Sequence, residues 1–310
     1  MTAPIQPRVL VIRGGAIGDF ILTLPALKLL RENIAGAHVE VLGYPGIMDL
    51  AITAGLADAV RSLEHRTMAL LFAKNATLDE ELIRYFNSFN LVISYLYDPD
   101  GLFRASMERI GVKTFIEASH RVSPGAGSAA AQLARPLEKL AMYLEDPAPV
   151  ILPHRPHTDL IAIHPGSGSL SKNWPLDRWV DLGRRIKTAW PGVTLNVITG
   201  EAEQERGITA AWHAAAVGLN FRHLDSPPLS DLSSHLSECS AFIGHDSGIS
   251  HLAAACGVPC LLFFGPTDPA IWAPQNLGVQ VHQAPDGVLA RLSVEDAWSA
   301  VNRFLSSKNS

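Results

Sequence analysis

Residues 241–251 read Ala-Phe-Ile-Gly-His-Asp-Ser-Gly-Ile-Ser-His, and this stretch is the most informative in the chain. An apolar run followed by Asp-Ser-Gly is typical of a buried strand, a tight turn and a helix start. The N–H groups at a helix start lack partners within the helix and favour an anion such as phosphate. Gly248 allows close backbone approach, and His251 lies one turn beyond Ser247 on the same face. An ordinary turn with a Ser or Asp cap remains the alternative.

Outward from this stretch, apolar runs alternate with helical patterns along the chain. The strands are predicted at residues 8–12, 38–42, 91–94, near 114–116, 160–164, 193–199, 241–244 and 259–264. The helices are predicted at residues 20–33 with an interruption at Pro25, at 176–190, near 201–216 and at 247–256. This alternation predicts an α/β fold of parallel strands covered by helices on both faces.

A proline-rich connector divides the chain. Prolines occupy positions 147, 149, 153 and 156, and proline favours extended connectors over regular elements. We therefore predict two α/β domains, at residues 1–150 and 157–290. The helix at 293–307 has an apolar stripe and can fold back onto the first domain. The Gly, Ala and Ser-rich stretch 123–132 is predicted to be a mobile loop.

Composition limits the class of protein. The chain has 310 residues, enough for two domains, with 47% hydrophobic and 18% charged residues. The net charge of −5 and the lack of a basic block argue against a nucleic-acid partner. No run approaches the roughly 18–20 apolar residues of a membrane span, and residues 1–8 lack a secretory signal, so we expect a cytoplasmic protein. The three cysteines lie in apolar stretches and are expected to be buried thiols, not zinc ligands.

A glycine-bearing loop, Arg13-Gly-Gly-Ala-Ile-Gly-Asp19, follows the first strand. Its spacing is not Gly-x-Gly-x-x-Gly, and no acidic residue ends the second strand, which argues against a nicotinamide site. Asp19 then has two interpretations. It caps the helix, or it is a carboxylate at the carboxyl end of a strand that takes a proton from an acceptor hydroxyl.

A second loop, His164-Pro-Gly-Ser-Gly-Ser169, follows the first strand of the second half and leads to Lys172. Ser167 and Gly168 offer hydroxyl and backbone donors to a phosphate, and Lys172 offers a mobile positive charge. A solvated loop with an incidental lysine is the alternative. A histidine in the position of His164 is more often buried and hydrogen-bonded than catalytic.

Two acidic residues complete the candidate site. Glu201 follows a strand end, where a carboxylate can accept hydrogen bonds from ribose hydroxyls or simply favour the helix dipole. Asp246 lies next to the predicted phosphate site, and like charges repel. Asp246 therefore fits better as an anchor for the loop or as a contact to sugar hydroxyls than as a phosphate ligand.

Together these motifs resemble the ADP-heptose:lipopolysaccharide heptosyltransferases of glycosyltransferase family 9. The matching segments, which occur in the family's order, are Gly18-Asp19 with Leu24-Pro-Ala-Leu27, His164-Pro-Gly-Ser167 with Lys172-Asn-Trp-Pro175, Gly244–Ala255, and Phe264-Gly-Pro-Thr-Asp-Pro269. The resemblance implies a GT-B fold, with two Rossmann-like domains facing a central cleft. The first domain would bind the acceptor and the second the nucleotide-sugar.

The resemblance also implies roles for residues and partners. Asp19 would be the catalytic base, Lys172 with Ser167 and Gly168 would contact the diphosphate, and Glu201 would bind ribose. The phosphate and sugar side would be lined by Asp246, Ser247, Gly248 and His251. The partners would be an ADP-sugar and a lipid-linked saccharide, reached by peripheral contact with the inner membrane. Because a helix end and a lysine can stabilise the departing diphosphate, no metal or other cofactor is expected.

Two other functions stay open at this point. One is a GT-B enzyme with another nucleotide-sugar or acceptor, including a nucleotide-sugar isomerase. The other is a non-catalytic nucleotide-binding or assembly protein, against which the presence of both Asp19 and Lys172 argues. Residues 44–135 contain no motif that identifies an acceptor.

Overall fold

The structure is a computed structural model that describes residues 6–307, apart from the side chain of Thr158. The chain divides into two compact units, Met1–Pro147 and Ala148–Ser310. The boundary falls in the proline-rich connector. Each unit is built around its own parallel sheet, and each is described separately below.

The first unit contains a five-stranded sheet with the strand order β3-β2-β1-β4-β5. Its strands are β1 (Arg8–Arg13), β2 (His38–Gly43), β3 (Ala59–Ser62), β4 (Leu91–Ser94) and β5 (Phe115–Glu117). Its helices are α1 (Ile17–Ile21), α2 (Leu24–Asn33), α3 (Asp49–Thr53), α4 (Glu80–Asn87), α5 (Leu102–Ile110) and α6 (Ala129–Ala134). The paired strands run parallel, and the order reverses between β1 and β4.

The second unit contains a six-stranded parallel sheet with the strand order β11-β10-β9-β6-β7-β8. Its strands are β6 (His157–Ile163), β7 (Thr194–Thr199), β8 (Arg222–Asp225), β9 (Cys239–His245), β10 (Cys260–Phe264) and β11 (Val279–Gln283). Its helices are α7 (Leu176–Ala189), α8 (Glu201–Glu205), α9 (Ile208–Ala215), α10 (Leu229–Ser237), α11 (Gly248–Ala255), α12 (Pro269–Trp272) and α13 (Val294–Ser306). The order reverses between β6 and β9.

The two predicted long helices are each divided in two. The break in the first unit falls between α1 and α2, and Pro25 lies in the first turn of α2, where proline needs no backbone partner. The break between α8 and α9 contains Gly207 in the left-handed region at φ 70°. Glycine tolerates this conformation, which ends one helix and begins the next.

The C-terminal helix α13 belongs to the second unit. Ala297, Val301 and Phe304 join the hydrophobic core of that unit, and the helix packs against α7. Its apolar stripe is therefore buried within the second unit. The expectation that this helix packs on the first domain stays a prediction.

The stretch 123–132 is more regular than predicted. Ser128 caps α6, with its Oγ accepting a hydrogen bond from Ala131 N, and Ala129 and Ala130 are buried. The side chain of Gln132 bonds both the N–H and the carbonyl of Ser123. The second half of the predicted mobile loop is therefore part of a helix that packs against α2.

Within residues 6–307, no helix is long and apolar enough to cross a membrane. Cys239, Cys256 and Cys260 are buried thiols, as the sequence predicted. Burial raises the pKa of the Cys239 thiol to about 11 and that of Cys256 to about 12. The thiols of Cys239 and Cys256 therefore stay protonated at neutral pH.

Candidate active site

The polar loops of the second unit meet where its strand order reverses. The chain leaves β6 towards β7 on one side and leaves β9 towards β10 on the other. Such a reversal opens a crevice at the carboxyl ends of the two strands, which is where open α/β sheets bind ligands. The loop that contains Ser167 and Lys172 follows β6, and Asp246 directly follows β9.

Asp246 connects three of these strand ends. Its Oδ2 accepts a hydrogen bond from Lys172 Nζ at 2.7 Å and another from Thr267 Oγ1 at 2.8 Å. The Asp246 side chain is 7% exposed and that of Lys172 is 30% exposed. The lysine is thus held at the mouth of the crevice by a buried carboxylate, with part of its surface open to a ligand.

The turn after Asp246 is a capped helix start. Ser247 Oγ accepts a hydrogen bond from Ser250 N at 3.3 Å, and Ser250 Oγ donates to the carbonyl of His245. The Ser247 hydroxyl also contacts the Ser250 hydroxyl at 3.0 Å. The cap and the anion site predicted as alternatives are therefore compatible, because the cap uses the serine hydroxyl and the first-turn N–H groups of α11 lack helical partners. His251 is buried on the same helix.

Ser167 stabilises its own loop. Its Oγ lies 2.6 Å from Asn173 Oδ1 and 2.7 Å from the Ser169 carbonyl, and the residue is buried. Gly168 is exposed, and nothing lies within 4 Å of a Cβ built on it. Gly168 is therefore more exposed than Ser167, and the predicted phosphate contacts of Ser167, Gly168 and Lys172 stay predictions.

Two buried histidines lie beneath the crevice. His245 Nε2 accepts hydrogen bonds from Trp174 N at 2.9 Å and Trp179 Nε1 at 3.1 Å, so this pattern assigns the proton to Nδ1. Burial, with a smaller contribution from His164, lowers the pKa of His245 to about 3. Burial also lowers the pKa of His164, against the opposing effect of Glu203. Both histidines are positioned as structural groups, as was expected for His164.

Glu203, which the sequence analysis missed, is the buried acidic residue after β7 and packs against Gly166 of the loop after β6. Glu201 is exposed on the first turn of α8, whereas Glu203 is buried and its Oε2 accepts a hydrogen bond from Gly200 N at 2.9 Å. An acidic residue three positions after a helix cap is the signature of a capping box, which could have identified it. Thr267 and Arg206 were also missed as site residues.

The packing between Gly166 and Glu203 leads to a stability prediction. A Cβ on Gly166 would lie 2.1 Å from Glu203 Oε1, so Gly166→Ala would displace the carboxylate from Gly200 N while it is buried. We expect Gly166→Ala to lower the free energy of unfolding by about 1–3 kcal/mol and the melting temperature by roughly 2–10 °C. Scanning calorimetry measures this shift.

Gly168→Ala in the same loop is the matched control, because nothing lies within 4 Å of the added Cβ. Its melting temperature is expected to change by no more than about 2 °C. Equal melting temperatures for the Gly166 and Gly168 variants would contradict the bracing role of Glu203.

In the first unit, Asp19 is the third residue of α1. Its Oδ2 accepts a hydrogen bond from Ala16 N at 3.2 Å, and its Oδ1 lies 3.7 Å from a guanidinium nitrogen of buried Arg13. The Asp19 side chain is 41% exposed. A Cβ on Gly15, at φ 104°, would lie 3.0 Å from Asp19 Oδ2, so glycine suits this position. Asp19 therefore caps the helix with one oxygen and still presents a carboxylate to solvent.

Aromatic and basic side chains lie at the same edge of the first sheet. The Arg13 guanidinium lies 5.4 Å from the Tyr95 ring centre, and burial lowers the pKa of Arg13 against the effect of Asp19. Tyr97, which is exposed, contacts the His120 ring, and the Arg121 guanidinium lies 5.6 Å from the Tyr97 ring centre. Burial, Arg121 and Arg13 together lower the pKa of His120.

Metal-ligand chemistry is not evident in this site. Among the residues that the structure describes, no group of three or more His, Cys, Asp or Glu side chains is arranged to hold a metal ion. Lys172, Arg206 and the backbone N–H groups at the start of α11 contribute positive charge around the crevice of the second unit.

Comparison with known proteins identifies the class. The chain is similar to the glycosyltransferase family 9 protein of Veillonella parvula (TM-score 0.78, 18% identity, 97% of each chain). It is also similar to E. coli heptosyltransferase WaaC with ADP (TM-score 0.71, 18% identity, 97% of this chain and 98% of that one). The two parallel-sheet α/β units have the GT-B fold of these structures.

Sequence comparison identifies the family within this class. Residues 121–293 match the profile of "Glycosyltransferase family 9 (heptosyltransferase)". The chain is 26% identical over 316 residues to lipopolysaccharide heptosyltransferase 1 of Pseudomonas aeruginosa, covering 90% of this chain and 84% of the relative. The chain belongs to glycosyltransferase family 9, the heptosyltransferase family, as the resemblance of its motifs indicated.

Proposed function

We propose that this protein is an inverting glycosyltransferase that moves a heptose-type sugar from an ADP-sugar to a lipopolysaccharide-core or related cell-surface saccharide. The observation that carries the proposal is the Lys172–Asp246–Thr267 cluster beside the start of α11. Such a cluster suits a diphosphate. The first unit would bind the acceptor and the second the donor.

The choice of donor is supported by relatives. Solved structures of E. coli heptosyltransferase WaaC contain ADP and ADP-2-deoxy-2-fluoro heptose, and the Pseudomonas relative is named for lipopolysaccharide. In this chain the diphosphate would contact Lys172, the Gly168 N–H and the first turn of α11. Glu201, exposed at the neighbouring strand end, would reach the ribose. Ser167 would contribute by holding the loop, while His251 would line the sugar side.

The proposed reaction is a single displacement. Asp19 takes the proton from the acceptor hydroxyl, and the hydroxyl oxygen forms a bond to the anomeric carbon as the bond to the diphosphate oxygen breaks. Attack opposite the leaving group inverts the anomeric configuration. The departing ADP carries new negative charge, which Lys172 and the helix N–H groups stabilise. These groups do the work that a divalent ion does in other enzymes, so the proposed step uses no metal or other cofactor.

The acceptor half of the proposal is supported by the surface next to Asp19. His120 and Arg121 supply protonatable or cationic groups, and Tyr97 supplies an exposed aromatic face. Such side chains suit an anionic saccharide. Because the proposed acceptor is lipid-linked, the enzyme would work in peripheral contact with the cytoplasmic face of the inner membrane.

A thermal-shift comparison of ADP, GDP and UDP tests the donor class. At about 100 times its dissociation constant, a ligand stabilises the folded state by about 2.7 kcal/mol, which raises the melting temperature by several degrees. We expect this rise with ADP and a smaller one with GDP or UDP. Stabilisation by UDP alone would count against the ADP-sugar and favour another nucleotide-sugar reaction, including isomerisation.

A further inference from the structure

Arg206, which directly follows α8, contacts the loop after β6. One terminal nitrogen of its guanidinium donates to the Ser167 carbonyl at 2.9 Å, and the other donates to the Gly168 carbonyl at 3.1 Å. The planar guanidinium therefore holds two consecutive carbonyl groups of the proposed phosphate loop. Neither the sequence motifs nor the proposed chemistry assigns a role to this arginine.

These contacts determine which way the loop's N–H groups point. The described peptide bonds are all trans, so each carbonyl is directed opposite to the N–H of the next residue. With the carbonyls of Ser167 and Gly168 turned towards Arg206, the N–H groups of Gly168 and Ser169 point away from it. The bond from Ser169 N to Ser167 Oγ, at 3.3 Å, agrees with this direction.

The Ser167 hydroxyl joins the side of the loop that faces away from Arg206 to the segment that contains Lys172. Ser167 Oγ, which the Ser169 N–H faces, also contacts Asn173 Oδ1 at 2.6 Å, and Asn173 is the neighbour of Lys172. The N–H of the exposed Gly168 therefore points away from Arg206, in the loop that leads to Lys172. A peptide flip at this glycine would replace a hydrogen-bond donor with a carbonyl oxygen, which repels an anion.

We infer that Arg206 is a positioning residue for the diphosphate of the nucleotide-sugar. It acts without touching the substrate, by holding the carbonyls of Ser167 and Gly168 so that the Gly168 N–H faces the phosphate and the Ser169 N–H keeps its bond to Ser167 Oγ. This inference rests on the proposed function, because it takes the diphosphate site as given. It assigns the second unit a positioning residue directly after α8, in addition to the loops at the strand ends.

Calorimetric titration with ADP and with adenosine tests this role. In Arg206→Ala we expect ADP binding to weaken roughly 10- to 30-fold and adenosine binding to stay within about twofold of the parent protein. Arg184→Ala is the matched control, since Arg184 is also exposed and donates to two carbonyls, Ala215 O at 3.0 Å and Val217 O at 3.5 Å. That variant should bind both ligands like the parent.

Each other outcome overturns a stated part of the proposal. Unchanged ADP binding in Arg206→Ala contradicts the inference alone, and an equal loss of ADP and adenosine binding shows a merely structural role. Arg206→Lys keeps the charge without the planar fork, so full ADP affinity in it would show that charge suffices and overturn the positioning role. If the parent protein itself does not bind ADP, the proposed function fails and the inference fails with it.

Discussion

Replacing Asp19 with asparagine is expected to reduce sugar transfer by about 10²- to 10⁴-fold while ADP binding stays unchanged, because general-base catalysis contributes on that order. The amide oxygen of asparagine can still accept the hydrogen bond from Ala16 N, so the helix cap is retained. The amide cannot take a proton from an acceptor hydroxyl. The variant therefore separates the two interpretations of this residue, as helix cap and as base.

The measurement is the rate of ADP release from an ADP-sugar in the presence of acceptor, with ADP affinity measured in parallel. Asp49→Asn is the control, since Asp49 is an exposed acidic residue in the first turn of α3. It should leave transfer unchanged. Because Asp19 also lies beside the buried Arg13, the melting temperature of the Asp19 variant should be recorded. A folded Asp19→Asn protein with full activity would refute the assigned base.

This experiment also decides whether the protein is catalytic at all. A nucleotide-binding or assembly protein with the same fold would bind ADP but transfer no sugar, and its Asp19 variant would behave like the parent. Family membership places the chain among glycosyltransferases, but activity depends on the residues of the site rather than on the fold. Transfer that depends on Asp19 would exclude the assembly function.

The central strands of both sheets could be predicted because they are continuous apolar runs. Most residues are apolar and buried on both faces in strands β1, β4, β9 and β10. The edge strands β3, β8 and β11 were missed. Strand β8 reads Arg-His-Leu-Asp and is partly exposed, so it lacks the apolar run by which a buried strand is recognised.

The loops that form the site could be predicted from the sequence, but the contacts between those loops could not. Motifs at strand ends identified Lys172 and Asp246 one by one. They were candidates because the carboxyl ends of parallel strands lie at one edge of the sheet, where ligands bind. The bond between them joins residues 74 positions apart and depends on which strands are neighbours. Similarly, the choice between Glu201 and Glu203 depends on which side chain turns back to cap Gly200, which a strand-end position alone does not show.

Replacing Lys172 with methionine is expected to lower kcat/KM by about 10²- to 10³-fold, the usual effect of removing one charge-stabilising donor from an active site. ADP binding should weaken as well, because the lysine would contact the diphosphate before and after transfer. Lys187→Met is the control, since Lys187 donates to backbone carbonyls of the same unit and has no role in the proposed reaction. Equal kcat/KM in the two variants would show that Lys172 is an incidental loop lysine.

The stability of the Lys172 variant separates charge from packing. Without the lysine, the Asp246 carboxylate, 7% exposed, keeps the hydrogen bond from Thr267 but loses its cation. A desolvated carboxylate that has lost its cation lowers the free energy of unfolding by about 1–3 kcal/mol. The melting temperature of Lys172→Met should therefore fall by several degrees. Adding Asp246→Asn removes the uncompensated charge and should restore most of that loss without restoring activity.

The same pair of substitutions decides what Asp246 does for catalysis. If Asp246 only holds Lys172, then Asp246→Asn should lower kcat/KM in the parent protein but change nothing further once Lys172 is methionine. If its carboxylate also accepts hydrogen bonds from sugar hydroxyls, the kcat/KM of the double variant should be about tenfold lower than that of Lys172→Met alone. Because Oδ2 already accepts from Lys172 and Thr267, a sugar contact would fall to Oδ1. We expect the first result, since the bonds formed by Asp246 join loops of the protein itself.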